Sequence, residues 1–191
     1  MSLSSLLRRN IHLAAFIISL SLFGYAGQAR SVPTALTTLL GTVATRNAIG
    51  DEVALSKWDS GKPVLDASRE AAVLQSVRDQ APQHRLDPDL AARFFSAQIE
   101  ANKLVQYQLL NLWQLRDKAP NRTRPNLITL RDRLDHLQIE LLDALAQSVP
   151  LREQSNCPSE IARATETYAQ QWHLDNIHRV ALIRSFGDFC H

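Results

Sequence analysis

The sequence predicts an all-α fold, a single-domain bundle of about six helices, and three observations carry that expectation. Glycine is scarce, with six in 191 residues. No stretch of four or more residues alternates apolar and polar between turn signals as a strand does. Apolar residues instead recur at intervals of three and four along segments that prolines and polar turns divide.

Residues 1–29 have the three parts of a secretory signal: Arg8 and Arg9, an apolar run from Ile11 to about Ala26, and small residues ending at Ala29. We expect this segment to be cleaved, leaving residues 30–191 as one domain in the periplasm or secreted. The alternative is an uncleaved membrane anchor, but Ser19, Ser21 and Gly24 interrupt a run already short of the ~20 apolar residues a span needs. No membrane association is expected after removal. The segment holds two of the 21 Lys and Arg and none of the 19 Asp and Glu, so the mature part balances at 19 to 19. No global basic field remains to draw a nucleic acid, and none is expected as a partner. The roughly 162 mature residues suffice for one domain with a sizeable core.

The first mature helix is expected at about residues 33–59, where Leu36, Leu39, Leu40, Val43 and Ala44 share one side and Pro33 suits the first turn. The segment 59–63 (DSGKP) stops it. A second helix fits about 66–81, with Ala71, Leu74 and Val77 on one side, and Pro82 ends it. Asp87 followed by Pro88 opens a third, an N-cap with proline at the first helical position, and apolar residues from Phe94 to Trp113 carry it to about 116. After the polar loop 118–125, Asn126 caps a fourth helix to about 149, with Leu127, Leu130, Leu134, Leu137, Leu141 and Leu145 at helical spacing. Two shorter helices, about 158–171 and 174–186, follow Pro150 as a cover on the bundle.

The chain has two cysteines, Cys157 and Cys190. An even pair in an oxidising compartment favours a disulfide at the far ends of the two last helices, with two buried free thiols as the alternative. The histidines His84, His136, His173, His178 and His191 show no HExxH pattern and no carboxylate at ligand spacing, so surface or core roles are expected and no metal. Trp58, Trp113 and Trp172 read as core. Asn121-Arg122-Thr123 is a formal glycosylation acceptor, relevant only in a eukaryotic secretory route.

Polar residues inform when several helix faces can meet. Arg46 and Lys57 lie eleven residues apart, three turns plus ~20°, so both leave helix one on the same side about 16 Å apart along its axis. Helix two offers Asp66, Arg69 and Glu70 at i, i+3 and i+4. Helix three offers Asn102 and Gln106 among apolar neighbours, and helix four offers Arg131. Taken singly, each of these also fits a solvated helix face.

As a set they resemble the active-site pattern of the all-α chorismate mutases. In that family's domain-swapped dimeric type an arginine is followed by lysine, aspartate, arginine and glutamate at 11, 20, 23 and 24 residues, the intervals from Arg46 to Lys57, Asp66, Arg69 and Glu70 here. The segments 84–89 (HRLDPD), 93–95 (RFF) and 98–100 (QIE) look like its third-helix signature. The leader, the extra C-terminal helices and the cysteine spacing are similar to the secreted subclass. The resemblance covers nearly the whole mature chain. It departs at Asn102, where a serine or threonine is usual, and at Gln106, where secreted relatives carry glutamate in some cases.

The resemblance implies conversion of chorismate to prephenate in a site built within one chain, with no cofactor. It assigns Arg46 and Arg131 to one substrate carboxylate with help from Asn102, Arg69 to the substrate's other end, and Lys57 and Gln106 to the ether oxygen. Glu70 and Asp66 would hold the ring hydroxyl or orient Lys57 and Arg69. Arg133, Arg124 and Arg122 compete with Arg131 for the fourth-helix position. A non-catalytic exported sensor or binding module is the alternative function, and an effector acting on a host's chorismate would share the same chemistry. A homodimer remains open.

Overall fold

The computed structural model describes residues 33–124 and 126–191. The expected secretory signal at 1–29 lies outside the described residues. Within them the chain forms α1 (Thr34–Ser60), α2 (Ala67–Gln80), a 3₁₀ turn (Ala81–His84), α3 (Pro88–Leu115), α4 (Leu127–Arg152), α5 (Cys157–Gln171) and α6 (Asn176–Ser185), with no strand among them.

Short polar side chains start four of these helices. Asp66 accepts from the Arg69 backbone N–H at 3.1 Å, Asp87 from Leu90 at 2.7 Å, Asn126 from Ile128 at 2.8 Å and Asp175 from His178 at 2.9 Å. Gly61, at φ 65°, closes α1 in the left-handed conformation that glycine adopts without strain. Two boundaries and one connection differ from expectation. Pro150 lies inside α4, which continues to Arg152, because a proline in a last turn forfeits only one backbone bond. Helix α2 ends before Pro82 as expected, but the chain runs on through a 3₁₀ turn that Arg85, at φ 59°, terminates. Finally, α6 starts later than its apolar pattern suggests, because Asp175 serves as its cap.

The central helix is α1, which packs against α3 and α4, while α2 lies on α3, and α6 lies on α3 and α1. Leu36, Leu39, Leu40 and Val43 of α1 meet Phe95 of α3 and Leu141, Leu142 and Leu145 of α4 in the main core. Phe94 stacks edge-on with Phe186 and Phe189 at 6.2 and 6.3 Å between ring centres, which seats the C-terminal segment. The Cys157–Cys190 disulfide, spanning 33 residues, links the start of α5 to the chain beyond α6. A closure of that length contributes about 3 to 4 kcal/mol in the chain-entropy account. Arg152 fixes the same end by donating to the carbonyls of Phe189 and His191. Trp58 and Trp113 form an edge-on pair 6.2 Å apart beside a small apolar cluster, as expected. Trp172 instead stands 60% exposed against Tyr168, because it caps α5 where the chain turns outward.

Two polar ties lock α6 to the bundle. Asn47 of α1 donates to the Ser185 hydroxyl at 3.1 Å, and Gln98 of α3 donates to the Ser185 carbonyl at 2.8 Å. His178 meets two carboxylates: Asp51 of α1 is 3.0 Å from Nε2, and Asp175, three residues before it, is 2.8 Å from Nδ1. The hydrogen bond to Asp51, reinforced by Asp175, raises the imidazole pKa from 6.5 to about 9 against the opposing effect of burial. A pKa raised on folding stabilises fully below the ordinary value of 6.5 and ceases to do so as pH rises through about 9. Urea unfolding from pH 6 to pH 10 should therefore show wild type losing an advantage over His178→Gln across about 6.5 to 9. A difference that is constant with pH would mean that no charge is shared in this triad.

Candidate active site

One cavity of about 380 Å³ opens between α1, α2, α3, α4 and the segment joining α1 to α2. All eight residues singled out in the sequence line it: Arg46, Lys57, Asp66, Arg69, Glu70, Asn102, Gln106 and Arg131. The scattering that a non-catalytic bundle would require is not what these helices produce. Apolar side chains, including Val53, Ile99, Leu130 and Leu134, make the walls between the charges.

Arg46 is the most deeply set cation, 6% exposed, and its Nε has no hydrogen-bond partner. Burial lowers its pKa to about 10, with Asp135 opposing that shift and Arg69 adding to it. The group thus stays charged at neutral pH in a place that offers it too little compensation. A buried, incompletely paired cation facing a hollow is the signature of a site for an anion.

Lys57, three turns along the same side of α1, donates to the Val64 carbonyl at 2.7 Å and so folds the α1–α2 segment over the cavity. Burial is the main cause holding its pKa below 10.5, Asp66 and Glu70 pull it back up, and Arg131 lowers it further. Arg69 is paired with Asp135 at 2.8 Å. Arg131 stands at the mouth, 46% exposed, with Asp66 at 3.9 Å. Its competitors are committed elsewhere: Arg133 grips Glu52 at 2.8 Å and Arg124 holds Asp59 at 2.7 Å, and neither they nor Arg122 line the cavity.

The two amides of α3 are less free than their sequence suggests. Asn102 donates to the Arg46 backbone carbonyl at 2.9 Å, and its own oxygen accepts from Gln106 Nε2 at 2.8 Å. Gln106 is 5% exposed and its Oε1 has no partner.

Lys103, Asp135 and Gln138 also line the cavity and were not singled out. Lys103 binds Glu70 at 3.1 Å and Glu100 at 2.7 Å, and Gln138 donates to Ser76 at 3.1 Å. Their signal was helical spacing: Asp135 and Gln138 follow Arg131 by four and seven residues, and Lys103 precedes Gln106 by three. The lining cations Arg46, Lys57, Lys62, Arg69, Lys103 and Arg131 outnumber the carboxylates Asp66, Glu70 and Asp135, so the hollow favours an anion. Among the described residues no group of three or more His, Cys, Asp or Glu is placed to hold a metal ion.

A family model described as chorismate mutase type II matches residues 37–107, a stretch that contains every site residue named from the sequence except Arg131. The crystal structure of chorismate mutase from Burkholderia phymatum superposes with a TM-score of 0.79 at 40% identity, covering 82% of this chain and 96% of that one. The Burkholderia thailandensis chorismate mutase gives 0.79 at 36% identity over 83% of this chain and 100% of its own. The secreted chorismate mutase of Mycobacterium tuberculosis is 28% identical over 188 residues, covering 95% of this chain and 94% of that protein.

Proposed function

This chain belongs to the type II chorismate mutase family, and from that premise we propose that its cavity binds chorismate as a dianion and rearranges it to prephenate. The observation that carries the reading is Arg46, a buried guanidinium with an unpartnered Nε in a hollow lined by more cations than carboxylates. The reaction is pericyclic: a C–O ether bond breaks while a C–C bond forms, with no nucleophile and no net proton transfer. What a protein can contribute is selection of the folded diaxial conformer and stabilisation of the charge that grows on the ether oxygen.

Arg46 and Arg131 take one carboxylate, where the guanidinium fork suits a two-point contact. Arg69 serves the other end of the substrate, with Asp135 aiming it. Lys57, on the same side of α1 as Arg46, supplies a cation to the ether oxygen. Gln106 adds a neutral donor to that oxygen. Glu70, held by Lys103, and Asp66 hold the ring hydroxyl or orient the neighbouring cations. The apolar walls keep water scarce around the breaking bond, which strengthens each of these electrostatic contacts.

All these side chains come from one chain, so a monomer suffices for activity. Residues 1–29 act as a cleaved secretory signal in this reading, and the Mycobacterium tuberculosis relative bears the name of a secreted enzyme.

The direct test is loss of chorismate absorbance on adding the purified protein without metal or nucleotide. In that assay Lys57→Ala should lower kcat by about 10²-fold or more, the usual effect of removing a donor from developing negative charge. Unchanged turnover would reduce Lys57 to a surface charge. A glutamine donates an N–H at any pH, whereas a carboxyl donates only when protonated. The wild-type rate should thus be flat from about pH 5 to pH 8, and Gln106→Glu should be active mainly on the acid side. A wild-type rate that collapses above about pH 6 would remove Gln106 from the ether oxygen.

A further inference from the structure

The amide of Gln106 is oriented by a chain of contacts that begins on another helix. A backbone carbonyl only accepts, so the Asn102 atom that faces the Arg46 carbonyl at 2.9 Å is the amide nitrogen. That choice turns the Asn102 oxygen toward Gln106, which meets it at 2.8 Å with Nε2. Neither amide is then free to flip: reversing Asn102 sets oxygen against oxygen at Arg46, and reversing Gln106 sets oxygen against oxygen at Asn102. Nε2 carries two hydrogens, so one remains after the bond to Asn102. Both residues are at least nine-tenths buried, at 7% and 5% exposure, where an amide without such a fixed partner is costly.

The backbone allows this contact at one place. A Cβ at Gly50 would stand 3.2 Å from Asn102 Nδ2 and 3.1 Å from a Val105 methyl, so glycine there lets α3 come close enough to α1 for Asn102 to reach the Arg46 carbonyl. Gly50, Arg46, Asn102 and Gln106 thus form one connected device across two helices.

We propose that Asn102 is a positioning residue that acts through Gln106: anchored on the Arg46 carbonyl, it holds the Gln106 amide so that the remaining N–H is presented to the cavity. The proposal rests on the reading of Gln106 as the neutral donor to the reacting oxygen. It also differs from the role suggested by sequence, in which Asn102 itself helps bind a substrate carboxylate. One of its two amide hydrogens is instead spent on α1, and its contribution is the direction of another side chain.

The test is a double-mutant cycle in the chorismate assay with Asn102→Ala, Gln106→Ala and the two combined. Asn102→Ala should lower kcat at least about 10-fold while KM stays within about 3-fold, less than the full loss of a donor because Gln106 remains but is misaimed. The combined variant should be no slower than Gln106→Ala alone. Losses that multiply, or a raised KM with kcat unchanged, overturn the proposal and return Asn102 to direct contact with substrate. Asn102→Ala with both parameters unchanged also overturns it. Unchanged kcat in Gln106→Ala overturns the underlying donor reading and with it the relay. Should Asn102→Ala not fold, Asn102→Leu enters the same cycle with the same two readings, since it keeps the side-chain size but neither donates nor accepts.

Discussion

A charged arginine buried in the middle of the central helix is the constraint around which the molecule is arranged. Removing a guanidinium from water costs several kcal/mol even after relaxation, and Arg46 recovers only part of that, through attraction to Asp135 opposed by repulsion from Arg69. Its Nε has no partner at all. A protein that folds only a few kcal/mol below its unfolded state does not retain such a group for packing. The hollow beside it, the second arginine, the lysine three turns along and the arginine at the mouth become intelligible together as a receptacle for an anion.

The rest of the bundle makes that receptacle rigid. Core contacts of α1 with α3 and α4 hold the helices that carry Arg46, Gln106 and Arg131, and they leave the cavity at one end. At the close crossing beside Gly50, two amides settle their hydrogen bonds against a backbone carbonyl in place of water. Asp135 and Lys103 each pair with a charge that faces the hollow, so Arg69 and Glu70 arrive already aimed. The disulfide, the Arg152 contacts and the protonated His178 secure the C-terminal helices as a cover, away from the chemistry.

Much of this was legible in the sequence, for a physical reason. Helical geometry converts spacing into direction, so Arg46 with Lys57, and Asp66 with Arg69 and Glu70, could be placed on shared faces from residue numbers alone. Resemblance then supplied the expectation that those faces converge. What depends on which side chain answers which across helices was not legible. Resemblance favours Arg131 over Arg133, Arg124 and Arg122, but the pairing of Arg133 with Glu52 and of Arg124 with Asp59 cannot be read from the sequence. The anchoring of Asn102 on the Arg46 carbonyl was not legible either, because that bond exists only once α3 meets α1. His178 gave no sign of its partner Asp51, which is 127 residues distant in sequence. Pro150 reads as a stop in the sequence because composition does not reveal that a last turn can absorb a proline.

The measurement that bears most directly on the central claim compares Arg46→Met with wild type in both unfolding and turnover. Asp135 is more than half exposed and is not left buried by the change, so methionine should leave the ligand-free protein at least as stable, as when a buried ion gives way to an apolar side chain of similar length. Turnover of chorismate should meanwhile fall by about 10²-fold or more. A variant that loses about 3 kcal/mol or more of stability yet keeps its turnover would mean that the buried charge serves the fold and that the cavity was not built around an anion.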